Sequence, residues 1–244
     1  MSDQEDAGET WVCPVPQAHD RFEEAHYFLH RMETAYHKPQ IFRFHLNAYI
    51  AAARAVHEML RIELERVGQV AWWKERRREF AEDDVLARFA IGRNIVLHQR
   101  SLLNGSRVST GLFRGARLKF AYEVNLETDE PSDELLKRMA PKLTDLLVDP
   151  DHTAVGEELG VKRLYFVREL SDSEDVLSAA RRALARTSRA LAEAHNRLGG
   201  EHVPIEDADV IDEAYLDQVS VLLESDIDPT LHYKWGWIDE PSVE

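Results

Sequence analysis

Between Pro39 and Gly68 the chain repeats apolar side chains at steps of three and four: Phe42, Leu46, Tyr49, Ile50, Ala53, Val56, Leu60 and Leu64. That spacing puts them on one stripe of a long α-helix, from about Ile41 to Val67. Pro39 ends whatever helix precedes it, and Gly68 suits the C-terminal cap. An amphipathic helix of this length has to bury its stripe against other helices. The segment before it offers a partner. From His19 to about Lys38, Phe22, Ala25, Leu29, Met32 and Tyr36 recur at the same steps. A third, short helix is predicted from about Val70 to Phe80. Asp83 or Asp84 can N-cap a fourth that ends near Leu102, before the Asn104-Gly105 turn signal.

Beyond Asn104 the period changes. Arg117 to Leu126 alternates and carries Phe120, Tyr122 and Val124, so it reads as a strand, with Arg107 to Phe113 as its hairpin mate. A short helix is predicted near Asp133 to Leu147, and a strand at Lys162 to Val167. A long helix then runs from about Ser173 to Leu198 and stops at Gly199-Gly200. The expected fold is mainly α, an up-down bundle of about five helices with a small β insertion at about 107–167. Residues 1–18 read as a disordered lead-in, 19–200 as the bundle, and 201–244 as an acidic tail, partly helical around Ile211 to Leu223.

The chain has 44% hydrophobic and 31% charged residues, the balance of a soluble globular protein. No apolar run approaches the roughly 18 residues of a membrane span. The acidic start lacks an apolar signal core, and the single cysteine, Cys13, rules out an internal disulfide and Cys-rich zinc sites. A cytoplasmic location is expected.

The formal net charge is −15, yet Val85 to Lys119 contains seven cations and no acid: Arg88, Arg93, Arg100, Arg107, Arg114, Arg117 and Lys119. A local cationic stretch in an acidic protein points to a bound anion, of which phosphate is the commonest. Within it lies Arg93-Asn94-Ile95-Val96-Leu97-His98. Three readings compete: a paired helix cation beside an unrelated polar His, a phosphate-binding pair, and a metal-free ribonuclease site. Asn94 and His98 share a helix face, but Arg93 and His98 stand about 140° apart on an ideal helix. Arg93 must reach around, the helix must end at His98, or a second copy must complete the site.

With two long helices before it and an acid-free setting, this motif resembles that of the HEPN superfamily (higher eukaryote and prokaryote nucleotide-binding domains). Those helical bundles carry Arg-x(4–6)-His, often with Asn after the Arg, on their last core helix. Asn47-Ala48-Tyr49, Arg54-Ala55-Val56 and the Trp72-Trp73-Lys74 helix look like bacterial HEPN-like proteins, and the resemblance covers roughly 19–102. It implies a homodimer in which two Arg/His pairs line a cleft, and in catalytic members RNA cleavage without metal. By that resemblance Arg93 stabilises phosphorane charge, His98 is the acid or base, and Asn94 orients His98. The product would be a 2′,3′-cyclic phosphate. The implied partners are RNA and an antitoxin-like protein, and no cofactor is called for. The alternative is a non-catalytic helical interaction or scaffold protein.

Other constellations stand beside it. Lys74, Arg76, Arg77 and Arg78 interleave with Trp72 and Trp73 and, with Arg88 and Arg100, form a candidate RNA path; the plain reading is two tryptophans anchoring a solvated helix. His26, His30 and His37 fall within about 40° on the first helix, a spacing that can chelate a transition metal but equally makes a polar flank. The tail residues Glu201 to Asp228 hold ten acids and no Lys or Arg, a solvated stretch or a cover for the basic segment. Trp235-Gly236-Trp237 reads as an anchor of the tail. No Walker A loop, Gly-x-Gly-x-x-Gly or Gly-x-Ser-x-Gly elbow appears.

Overall fold

The computed structural model describes residues 12–98, 106–126, 130–147, 156–167, 170, 174–200, 204 and 213–228, without the side chains of 93–98, 122–126 and 145–147. Five helices build the bundle: α1 (Pro16–Thr34), α2 (Pro39–Arg66), α3 (Val70–Glu82), α4 (Asp84–His98) and, later in the chain, α6 (Val176–Arg197). Between α4 and α6 lie β1 (Ser106–Arg114), β2 (Arg117–Leu126), α5 (Ser132–Leu147) and β3 (Glu158–Tyr165). After α6 come α7 (Glu213–Ser220), β4 (Val221–Leu223) and α8 (Glu224–Ile227). The fold is mainly α with a small antiparallel sheet. No helix among the described residues is long and apolar enough to cross a membrane.

The stripes on α1 and α2 are buried as their periodicity requires: Phe22, Ala25, Leu29 and Met32 meet Phe42, Leu46, Tyr49, Ile50, Val56, Leu60 and Leu64 in one core. The inner helix is α6. Its buried Ala179, Ala180, Ala183, Ala190 and Ala194 let neighbouring backbones approach closely, and it packs on α1, α2 and α4. Tyr49 crosses this interface and donates its hydroxyl to Ala180 O at 2.6 Å.

The sheet runs β2-β1-β3-β4. Its second, smaller core joins Val108, Leu112, Leu159 and Val161 to Leu135, Leu136 and Leu143 of α5. Lys119 is an extra residue in β2, a bulge opposite Leu112/Phe113. Gly111 is required beside it: a Cβ there would sit 1.9 Å from Phe120 O.

Two expectations are corrected. Residues 1–18 are not uniformly a loose lead-in, because α1 starts at Pro16 and Val15 and Ala18 are buried. No local side chain caps this helix. Glu63, on α2, accepts from the amides of Gln17 and Ala18 at 2.9 and 3.0 Å. Nor is the segment from 201 onward simply a tail. Its residues 213–228 belong to the fold, β4 pairing with β3 and Lys162 bonding Asp217. Of the acids described there, Asp217 bonds a β3 side chain. Trp235, Gly236 and Trp237 lie outside the described residues.

Sheet and bundle are joined by a buried polar knot. The Tyr165 ring stacks on Phe42 at 4.1 Å, and its hydroxyl donates to Tyr36 O at 2.7 Å. Asp175, the N-cap of α6, accepts from Tyr36 Oη at 2.6 Å, the Tyr165 amide at 2.7 Å and the Leu177 amide at 2.8 Å.

A second knot is built on Arg163, fully buried and without a carboxylate partner among the described residues. Its guanidinium donates to Ser132 Oγ (2.9 Å), Ser106 Oγ (2.8 Å) and Glu130 O (2.7 Å), tying β3 to β1 and to the start of α5. Burial pulls its pKa down, a sign that the charge is costly there. Arg163→Met keeps much of the volume but leaves these acceptors without their donors. It is expected to destabilise the fold by about 2 kcal/mol in urea denaturation. A change below about 0.5 kcal/mol would mean that the charge costs as much as its hydrogen bonds return.

Candidate nucleic-acid interface

The motif helix α4 is fixed at its start by acids. Asp83 Oδ1 accepts from the Leu86 amide at 3.0 Å, as an N-cap does, and Arg186 of α6 bonds Asp83 and Asp84. From there α4 continues as helix through His98. Arg93, Asn94 and His98 therefore lie on one helix, with Arg93 and His98 about 140° apart in ideal geometry. Their side chains lie outside the described residues, as does Arg100.

Beside α4, a cleft of about 330 Å³ opens between α2, α3, α4 and α6. Ile50, Phe80 and Phe89 are among its apolar walls. Arg54, His57, Glu58 and Arg61 of α2, Arg77 of α3 and Thr187 of α6 supply the polar lining, and the Arg61, Arg54 and Arg77 cations hold the Glu58 carboxyl below its usual range. Arg61 is held by Glu58 (2.6 Å) and Glu65 (2.8 Å). Arg54 and Arg77 make no ion pair among the described residues; Arg54 is half-buried and Arg77 exposed. Trp73, 4% exposed, also lines the cleft, and its indole N–H has no acceptor among the described residues. A buried donor of this kind is costly unless a ligand or water satisfies it.

His57 stands 3.3 Å from Thr187 Oγ1, and the Thr187 hydroxyl donates to Ala183 O at 2.9 Å. Thr187 is thus the acceptor for His57 Nε2–H, which leaves a lone pair on Nδ1. Burial first, and the Arg54 charge second, push the His57 pKa down to about 4. The ring is neutral at pH 7 and a weak base. It is suited to stacking or accepting a hydrogen bond rather than to proton transfer near neutrality.

The other expected RNA contacts divide. Lys74 and Arg78 are exposed. Arg76 is engaged: it bonds Glu79 and Glu193, the latter at 2.9 Å, and lies over the Trp72 ring with its centroid 5.9 Å away. Arg88, half-buried on α4, is not free either. Of the described members of this set, only Arg77 lines the cleft. Arg54, His57 and Arg61 were overlooked, although their steps of three and four on α2 mark a polar flank beside the apolar stripe.

His26, His30 and His37 do not converge. α1 ends at Thr34; His26 and His30 are exposed, while His37 turns inward, where burial and Arg163 hold its pKa down at about 4. Among the described residues, metal-type donors gather instead at Cys13, His19 and His195.

No curated protein and no solved structure matches the chain. A family model does: residues 6–224 match the family described as bacteriophage lambda protein ea47, and with that span covering most of its length the chain belongs to this family.

Proposed function

We propose that this is a HEPN-like, RNA-binding protein whose cleft beside α4 holds a nucleotide. Its motif residues Arg93, Asn94 and His98 would cut the RNA backbone by 2′-OH attack, without a metal, at a site shared by two copies of the chain. The observation that carries this reading is the cleft itself. Two arginines without ion pairs among the described residues, a neutral imidazole and an indole donor with no acceptor among those residues stand over apolar walls, one of which is the motif helix. A base has apolar faces and hydrogen-bonding edges, and its phosphate needs cations, so this lining is complementary to a nucleotide. Ile91, exposed on α4, supports a helix-to-helix contact between copies. The same exposure favours the second reading, a non-catalytic interaction protein that uses α4 as its contact surface.

Binding is tested with a fluorescent single-stranded RNA by anisotropy over a range of salt. The wild type is expected to bind, and Arg54→Ala and Arg77→Ala each to lower the salt slope by about one contact. The double variant is expected to weaken binding by roughly tenfold or more. A wild type that leaves RNA free at low salt would overturn the nucleic-acid reading and leave the interaction protein.

A further inference from the structure

We propose that Cys13, His19 and His195 form a binding site for one divalent transition-metal ion of the zinc type, clamping the start of the chain to the end of α6. Cys13 Sγ lies 3.2 Å from His195 Nε2 and 3.8 Å from His19 Nδ1, and all three donor atoms fall within 4.8 Å of one another. Bonds of about 2.3 Å to sulfur and about 2.0 Å to nitrogen at tetrahedral angles give S···N edges of about 3.6 Å and N···N edges of about 3.3 Å. The sulfur–nitrogen separations straddle that value, so only small side-chain movements are needed.

The outer contacts carry the argument further. His195 Nδ1 lies 2.8 Å from Leu191 O and must donate to it, which leaves a lone pair on Nε2, the atom facing Cys13. His19 turns Nδ1 to the sulfur and holds Nε2 3.5 Å from Glu23 Oε1, so a proton on Nε2 would leave Nδ1 its lone pair for a metal. Three donor atoms of the kinds that bind zinc, one sulfur and two imidazole nitrogens, thus converge on one point. A cation bound by a thiolate and two imidazoles would satisfy all three. A carbonyl behind one histidine and a carboxylate behind the other are usual outer partners of metal-bound imidazoles. Glu63, close enough to act on both Cys13 and His195, adds negative charge.

The backbone has the form such a clamp needs. Gly199, at φ +78°, ends α6 in the left-handed region, and the Gly200 amide returns to His195 O at 2.9 Å. At Gly200 a Cβ would press on Pro14 at 3.0 Å, so a residue without one lets the Cys13-Pro14 segment close over His195. The site is separate from the cleft and does not depend on the RNA reading.

Cys13 is the only cysteine of the chain, so cobalt(II) offers a specific probe. The full chain, stripped by chelator and titrated with Co²⁺, is expected to take up one ion. It should develop a near-ultraviolet thiolate-to-cobalt charge-transfer band together with the strong visible bands of four-coordinate cobalt, and Zn²⁺ should abolish both. Cys13→Ser should remove the charge-transfer band, and Glu23→Gln should weaken Co²⁺ binding by about tenfold. His19→Ala, at a half-buried position, should weaken it further while leaving the helical circular-dichroism signal intact. Absence of the charge-transfer band in the wild type, or a band of unchanged affinity in His19→Ala, would overturn the proposal. Because the wild-type band alone identifies Cys13, a variant that fails to fold does not leave the site undecided.

Discussion

Asp175→Ala is expected to cost about 3–7 kcal/mol of folding stability, more than the loss of a typical surface ion pair. The carboxylate caps α6 through the Leu177 amide and also takes the Tyr36 hydroxyl and the Tyr165 amide. Removing it withdraws an N-cap, worth about 1 kcal/mol, and strands two buried donors at about 1–3 kcal/mol each. The position also carries a pH signature. Burial pushes the Asp175 pKa up to about 6, against the pull of its hydrogen bonds. A carboxyl whose pKa is higher folded than unfolded binds its proton more tightly in the native state. Its contribution is therefore fully present below about pH 4 and is lost as pH rises through 6. Over that window it amounts to about 3 kcal/mol for an upward shift of about two pH units. Asp175→Asn cannot titrate there. The wild-type stability advantage over Asp175→Asn should accordingly shrink as pH is raised from 4 to 7 in urea denaturations followed by tryptophan fluorescence. A constant advantage would place the Asp175 pKa near its unfolded value. A loss below about 1 kcal/mol for Asp175→Ala would show that the knot does not join sheet to bundle.

This knot also marks what the sequence could and could not disclose. The stripes on α1 and α2 are periodic, so those helices and their buried faces were readable, and alternation exposed the hairpin. Single-chain periodicity carries no information on a partner far away in sequence. α1 begins at Pro16 because Glu63 caps it, and β4 exists because β3 offers an edge to Val221–Leu223. Neither effect leaves a local trace. The cluster at Cys13 was hidden for the same reason, since His195 lies 182 residues away. In the cleft, Arg77 was identified among the cations of α3. Arg54 and His57 were obscured by the strength of the apolar stripe next to them.

In the RNA-cleaving reading, His98→Ala is expected to slow cleavage by about 10²–10⁴-fold, the range spanned by a positioned acid or base, while leaving RNA affinity in the cleft unchanged. Arg93→Ala should slow it comparably by removing charge stabilisation at the phosphorane. A 2′-deoxy nucleotide at the cut position should block the wild type, because the attacking hydroxyl is then missing. The geometry of α4 makes a sharper test possible. Helix persists through His98, and positions five apart on an ideal helix stand about 140° apart, so one straight helix does not by itself bring positions 93 and 98 to one phosphate. A site assembled by two-fold pairing would instead join Arg93 of one copy to His98 of the other. Neither single variant then has an intact site, but a mixed dimer of Arg93→Ala and His98→Ala has one. Mixing equal amounts under exchange makes half of the dimers mixed, each with one of two sites working. Activity should therefore recover to about a quarter of the wild type's. Mixtures that stay as inactive as their components would locate both groups in one chain's own site. Cleavage that survives His98→Ala undiminished would remove the imidazole from the chemistry altogether.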